Sequence, residues 1–441
     1  MSGRKRLSFA LREKGFDSKD ADFDIEQVVA KDGRRPDVVI LSMLAKSATQ
    51  DPARYLEFVK AIKLNERTGR LPVILLGERA GLNGTQAEAM RAARVDEIMF
   101  APVSPAQVSG RINSLVRLST MHEELVRRLN TSAKYGVDAP ADVAPPRIVS
   151  DASVLVVGAT RDFPAIEEAL AKDATLVGAL TATTALDYMM RRDFDAIIVD
   201  LNGTPEPFLE MARSARMNSQ LYNTPIVMLA APDDIGNPAR AFENGYTDVL
   251  GKPIDQHELH GRVMSLVREL RFRDSLRHIY SQARHMATSD GLTGLYSKGF
   301  LLEHLRAVLN DSSRWNEAVS LAFFEIVNMP AINDQHGYVI GDRIIRQVGE
   351  MMGMLVRGED LTARYSGPRF VVVLPDTAPE YADVAVRRII GVVNYTEFSV
   401  AGINEPMHIE LANGVTGYQA GDTPESIIGR ARELSRNSSA G

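Results

Sequence analysis

The sequence predicts a multidomain α/β protein, and three observations carry that reading. Short, continuous apolar runs alternate with amphipathic stretches, the pattern of parallel strands covered by helices on both faces. The alternation is run through twice, as an internal repeat. The last third then breaks it with a hairpin: Ala363-Arg364-Tyr365 leads into a Ser366-Gly367-Pro368 tip, and Arg369 to Leu374 leads out. At 441 residues the chain is too long for one core.

In the first repeat, Arg4 to Gly15 carries Leu7, Ala10 and Leu11 at helical spacing and stops at a glycine. Val38 to Leu41, Val73 to Leu76 and Glu97 to Phe100 read as strands, and Ser104-Pro105 opens a helix expected to reach Leu118. The Pro- and Ala-containing stretch 131–147, with Pro140, Pro145 and Pro146, reads as linker. Strands return at Val154 to Val157, Ala196 to Val199, Pro225 to Leu229 and Asp248 to Leu250. From Gln256 to Ala287 an apolar stripe (Leu259, Val263, Leu266, Val267, Leu270, Leu276, Ile279) marks one long helix, a dimer seam or a face packed on its own domain. The divisions expected are 1–118, a linker 119–150, 151–270, a connecting helix 271–289, and 290–441.

Composition narrows the function classes. Hydrophobic content of 45% and charged content of 24% are those of an ordinary globular protein, and a formal net charge of −6 without a basic block argues against nucleic acid. The absence of cysteine excludes disulfides, thiol nucleophiles and Cys-ligated metals. No apolar run is long enough to span a bilayer and no signal-peptide core is present, so the expectation is a cytoplasmic protein without membrane insertion.

Both repeats resemble response-regulator receiver domains, whose fold is flavodoxin-like, a doubly wound parallel sheet of order 2-1-3-4-5. The runs ending at Leu41 and Asp200 match the third strand, and Gly251-Lys252-Pro253 matches the loop after the fifth. Receiver phosphorylation needs an acceptor Asp, an acidic pair for Mg²⁺, a Thr/Ser and a Lys. The first repeat has Ser42, Gly77 and Ala101 at the acceptor, Thr/Ser and Lys positions and no first strand, which leaves the closure of its sheet without an account. The second keeps Asp200 and Lys252 but has Gly158-Ala159 for the acidic pair and Ala230 for the Thr/Ser. Asp200 is thus a candidate phosphoacceptor whose chemistry is expected to be slow or absent, or else a strand-end carboxylate capping the next turn.

The last third resembles the GGDEF domain of diguanylate cyclases, a palm-like α/β fold with an antiparallel-centred sheet. Asp290-Gly291-Leu292-Thr293-Gly294-Leu295 matches its opening motif, and Arg364 to Phe370 sits where the family has Arg-Tyr-Gly-Gly-(Asp/Glu)-Glu-Phe. Here the tip reads Ser366-Gly367-Pro368-Arg369-Phe370, without either carboxylate. The family's metal Asp at the end of the first strand corresponds to Glu325. One Glu cannot hold two cations, and Arg369 puts positive charge where a cation belongs. No catalytic residue and no metal site are therefore expected. The guanine-reading pair corresponds to Asn333 and Asp342, both kept, with helix capping as the structural alternative. The family's C-terminal Tyr and Lys are missing from Ala431 to Asn437.

Arg357 and Asp360 form an Arg-x-x-Asp separated by five residues from the Ser366-Gly367-Pro368 tip, the position of the family's inhibitory cyclic di-GMP site. The tetrapeptide also occurs from Arg34, Arg192 and Arg271, so position alone distinguishes this copy. A guanidinium stacks on guanine and bonds its O6/N7 edge, while a carboxylate accepts from N1–H and N2–H. The structural alternative is a surface ion pair. The resemblance adds a second arginine, Arg388. It implies a cyclic di-GMP effector without cyclase activity, like the non-catalytic receiver–receiver–GGDEF proteins. Such a protein works as a homodimer through its receivers and through protein partners, an adaptor and a substrate brought to a ClpXP-type protease at the cell pole in cell-cycle control. Two other classes stay open: a weakly active diguanylate cyclase, and a phosphorylation-driven scaffold without nucleotide.

Overall fold

The structure, a computed structural model, describes residues 3–28, 35–43, 51–65, 68–78, 84–101, 103, 105–136, 149–158, 161–218, 221, 223–231, 239–282, 288–399, 403 and 406–438. Pro140, Pro145, Pro146, Ala159 and residues 283–287 lie outside these. The chain divides into two compact units. One comprises Met1–Val29, Pro36–Ser119 and Ala144–Ser275; the other comprises Ala30–Arg35, Thr120–Val143 and Leu276–Gly441. The division passes through two helices, Pro105–Ala133 and Gln256–Gln282.

The first unit holds two parallel sheets. Strands β1 (Val39–Ser42), β2 (Val73–Gly77) and β3 (Glu97–Phe100) make a three-stranded sheet in that order. No inner strand precedes β1 among the described residues. Helix Gly3–Glu13 covers one face instead, setting Leu7 and Leu11 against Ile74, Leu76 and Met99. Among the described residues β1 is then an edge, and all of its side chains but Leu41 are only partly buried. Among the described residues the sheet is therefore three-stranded, with a helix over one face.

Strands β4 (Ala152–Gly158), β5 (Ala174–Ala179), β6 (Ala196–Asp200), β7 (Ile226–Ala230) and β8 (Asp248–Gly251) form the second sheet, ordered β5-β4-β6-β7-β8 and all parallel. Counted from β4, this is the order 2-1-3-4-5. Every residue of β6 and β7 is buried, as their uninterrupted apolar runs require. The first part of the stripe on helix Gln256–Gln282 is used locally: Leu259, Val263, Leu266 and Val267 pack on this sheet's core.

Buried charge joins the two sheets. Glu97, which opens β3, is 4% exposed and accepts from Arg111 Nε (3.0 Å) and Nη2 (2.7 Å) and from Arg262 Nη1 (3.0 Å). Arg111 Nη1 reaches Glu269 at 3.0 Å, Arg262 Nε lies 3.3 Å from Asp248, which opens β8, and Gln107 Nε2 donates to Asp248 at 2.6 Å. The arrangement echoes the repeat. Arg111-Ile112-Asn113-Ser114-Leu115-Val116-Arg117 matches Arg262-Val263-Met264-Ser265-Leu266-Val267-Arg268, and each first arginine meets the acid that opens its own last strand. Burial favours the neutral form of Glu97, but the charges and hydrogen bonds of Arg111 and Arg262 outweigh it and hold its carboxyl low.

The second unit is an antiparallel sheet ordered β10-β11-β9-β12, from β9 (Val319–Ile326), β10 (Leu361–Ser366), β11 (Arg369–Pro375) and β12 (Leu411–Gly417). Helices Met329–His336, Tyr338–Leu355 and Pro379–Asn394 enclose a core with Phe324, Phe370 and Val372; Lys298–Trp315 and Pro424–Ser438 enclose another with Phe323 and Val371. Residues 119–133, expected to open a linker, are instead helical. Met121, Leu125 and Leu129 continue the i, i+4 apolar stripe past Leu118, and all three are buried.

Replacing Arg111 by Met should strand Glu97 and Glu269 with one counter-charge fewer. The expected loss is about 3–5 kcal/mol in urea unfolding; a loss under about 1 kcal/mol would mean these carboxylates are hydrated.

Candidate functional site

The hairpin between β10 and β11 is formed as the alternating sequence directs. Gly367 turns it with φ +52°, and the register shifts between Arg364 and Ser366. Arg364 Nε donates to Gly367 O at 2.9 Å, while its Nη1 reaches Asp290 Oδ1 at 3.2 Å. Asp290 also accepts from the Thr293 amide (2.9 Å) and hydroxyl (2.9 Å), so the Asp290-Gly291-Leu292-Thr293 turn is tied to the hairpin base. Burial opposes ionisation of Asp290, but the Thr293 bonds and the Arg364 charge overcome it and keep its carboxyl below the usual range.

At the tip, β11 and β9 run in a register that sets Arg369 directly across from Glu325. Arg369 Nε donates to Glu325 Oε1 at 2.8 Å, with both side chains partly exposed. The positive charge expected to repel a cation is thus spent on the carboxylate itself. The Pro368 carbonyl accepts from the Ile326 amide at 3.1 Å, which fixes the tip against the end of β9.

Asn333 lies in helix Met329–His336 and Asp342 just past the first turn of Tyr338–Leu355. Asp342 is exposed. Asn333 Oδ1 is buried without a hydrogen-bond partner, packed against the backbone at Gly341, where an added Cβ would fall 2.0 Å from it. The two residues are brought to one helix junction, but no bond between them is formed.

The Arg-x-x-Asp segment connects helix Tyr338–Leu355 to β10. Arg357 is exposed, while Asp360 is 5% exposed and points inward. Asp360 Oδ2 accepts from the Arg357 amide at 2.8 Å, and Oδ1 is buried without a hydrogen-bond partner. Burial pushes the Asp360 carboxyl up to about 7, against the Arg357 amide bond and with help from the neighbouring Glu359 charge. Arg388, exposed on helix Pro379–Asn394, donates to the carbonyl of Leu355, two residues ahead of Arg357. Arg357 and Arg388 therefore share one end of the unit, whereas Asp360 is turned away from solvent and the expected guanidinium–carboxylate fork is not assembled.

In the first unit, Asp200 ends β6 at 1% exposure and is paired with Lys252. Lys252 Nζ also meets Asp162 Oδ2 (2.9 Å), Leu201 O (2.9 Å) and Asn202 Oδ1 (3.0 Å). Burial raises the Asp200 carboxyl, with Lys252 pulling the other way and Asp162 adding to the rise. Burial acts to lower Lys252, but its bonds to Asp200 and Asp162 win and raise it. Asp162 is the residue that motif positions did not identify. It precedes helix Phe163–Leu170 in an Asp-Phe-Pro start, the one local sign available, and brings a carboxylate to Lys252 although Gly158 supplies none. Gly158 itself has no room for a side chain: at φ +122° an added Cβ would lie 2.3 Å from the Asp200 carbonyl oxygen.

With this geometry in place, comparison with known proteins defines the class. Residues 287–439 match the family model of the diguanylate cyclase GGDEF domain, so the second unit carries a GGDEF domain and the chain is related to diguanylate cyclases. Along most of its length it is similar to the response regulator PleD of Caulobacter vibrioides, at 26% identity over 410 residues, covering 90% of this chain and 86% of PleD. Diguanylate cyclase DgcP of Pseudomonas aeruginosa is 28% identical over 270 residues, 55% of this chain and 40% of that protein. Among solved structures, the GGDEF domain of DgcB from Caulobacter crescentus in complex with c-di-GMP matches at 25% identity and TM-score 0.35, covering 36% of this chain and 90% of that one. No helix among the described residues is long and apolar enough to cross a membrane.

The raised Asp360 carboxyl carries a pH signature. In the unfolded chain it loses its proton near pH 4, in the folded chain near 7, so between these values the folded state holds the extra proton and stability falls as pH rises. Urea unfolding from pH 4 to 8 should show Asp360→Asn gaining on the wild type across that window; parallel profiles would place the carboxylate in water.

Proposed function

We propose that this chain is a cyclic di-GMP effector that does not synthesise the nucleotide, signalling through protein partners. The observation that carries the reading is the Arg369–Glu325 ion pair. Diguanylate cyclisation calls for two cations bridging carboxylates and triphosphate. Here the strand carboxylate is occupied by a guanidinium from the tip, and Pro368 and Arg369 stand at the two hairpin carboxylate positions. What the domain keeps is the set of residues for holding a guanine, Arg357 and Arg388 at one end and Asp360 buried behind them, a set that suits a stacked and edge-bonded base once the Asp360 carboxylate faces outward. Asn333 and Asp342 are candidates for a second, weaker guanine contact.

In this reading the two parallel sheets are receiver domains that serve as scaffold, with no metal cofactor. The pattern of worn receivers, an altered hairpin and a retained Arg-x-x-Asp resembles PopA, the non-catalytic paralogue of PleD. By that resemblance the output is recruitment of an adaptor and a protease substrate to a ClpXP-type protease at the cell pole. A homodimer through the receivers would use faces other than the one closed by Glu97, Arg111 and Arg262.

Calorimetry with cyclic di-GMP should show saturable binding to the wild type and loss of at least about tenfold in affinity with Arg357→Ala, the scale of one charge-assisted bidentate contact. GTP with Mg²⁺ should yield no cyclic di-GMP; product formation by the purified protein would reject the effector reading.

The Asp200–Lys252–Asp162 cluster favours a second reading, in which Asp200 accepts a phosphoryl group. Against it, Gly158 leaves one of the two Mg²⁺ carboxylates without a place. Incubation with acetyl phosphate and Mg²⁺, followed by intact-mass measurement, is expected to show no adduct. An adduct removed by Asp200→Asn would restore the phosphorylation-driven scaffold.

A further inference from the structure

The two residues between Arg357 and Asp360 are held from behind. Arg128, 4% exposed in helix Pro105–Ala133, donates through Nη2 to the Glu359 carbonyl at 2.7 Å and through Nη1 to the Gly358 carbonyl at 3.4 Å. On the same helix Met121 sits under the loop, its Cε 3.3 Å from where a Cβ on Gly358 would be. Arg128 is itself oriented by Glu124, 0% exposed, through a 2.8 Å Nε bond, and Glu124 is held by His304 at 2.7 Å. Burial disfavours charge on Glu124, but His304 and Arg128 outweigh it and keep the carboxyl low, so His304 Nε2 is the donor. The guanidinium also lies 5.6 Å from the Tyr296 ring centroid, and Tyr296 exchanges backbone bonds with Thr362 and Arg364 of β10. Arg127 to Asp311, at 2.8 Å, fastens the helix further.

This is more than a packed helix needs. A guanidinium with an acid behind it is aimed at the carbonyls of a ligand loop whose acid is turned inward with an unpartnered oxygen. We propose that Arg128 is a positioning residue for the Arg357–Asp360 loop: its grip on Gly358 and Glu359 holds the loop closed, and a guanine base engages only when Asp360 swings outward and that grip is released. The proposal rests on the reading that this loop takes cyclic di-GMP. It adds that residues 120–133 are the part of the domain that changes state on binding. Since apparent affinity scales with the fraction of open loops, loosening the grip should strengthen binding.

The test uses the full chain. Hydrogen exchange with and without saturating cyclic di-GMP should show faster exchange of the amides of 120–133 in the wild type with ligand. Arg128→Ala should bind cyclic di-GMP about tenfold more tightly, as removal of one charge-assisted contact to backbone predicts, with Arg128→Lys in between. A merely structural role would weaken binding or leave it unchanged, and either result overturns the proposal, as does unaltered or slower exchange of 120–133 in a protein that calorimetry shows to be bound. If Arg128→Ala does not fold, the wild-type exchange and Arg128→Lys decide the matter. If no form binds, the cyclic di-GMP reading fails, and the grip is judged without ligand. Amides of 357–361 should exchange faster in Arg128→Lys than in wild type, and equal rates overturn the grip itself.

Discussion

Glu97 lies out of water between two guanidiniums, and the pairing of the two parallel sheets depends on that placement. An ion of this kind is tolerated inside a protein only when a counter-charge and hydrogen bonds replace the water it has lost. Arg111 and Arg262 provide both, and because each also serves a second acid, none of the group can be moved alone. Glu124 repeats the solution in the GGDEF unit with His304 and Arg128. In both places the buried acid fixes a helix to a specific neighbour, where apolar packing alone would tolerate some sliding.

The same compensation at the surface has a different result. Glu325 and Arg369 face one another because β9 and β11 keep their register, and the register is kept because Phe370, Val371 and Val372 fill the two cores. The apolar face of the hairpin and its polar tip answer to separate demands. The first maintains the fold; the second sets the charges that Glu325 and Arg369 present at the end of the sheet. The two demands meet at the hairpin tip, where buried Phe370 adjoins the partly exposed Arg369.

The strands were legible because each sheet announces itself differently: β6 and β7 as unbroken apolar runs, β10 and β11 as a hairpin with a Gly-containing tip. The Arg-x-x-Asp was legible only through its distance from that tip, since the same tetrapeptide stands elsewhere in the chain. What escaped is long-range. Asp162 reaches Lys252 by way of a helix start, and no motif position marks it. The extension of helix Pro105–Ala133 was hidden by a Pro-rich stretch further on, although Met121, Leu125 and Leu129 already continued its stripe. Arg128, more than two hundred residues away, holds the Glu359 carbonyl next to the inward-facing Asp360, and local sequence carries no trace of such a contact.

The matched arginine runs beginning at Arg111 and Arg262 have a consequence for association. Two like surfaces on separate molecules would meet with an affinity set by dilution, but here both are carried on one chain. Tethering makes their encounter unimolecular, at an effective concentration set by the connecting segment and not by how much protein is present. The parallel-sheet pair should hold together equally well in a cell with few copies or many.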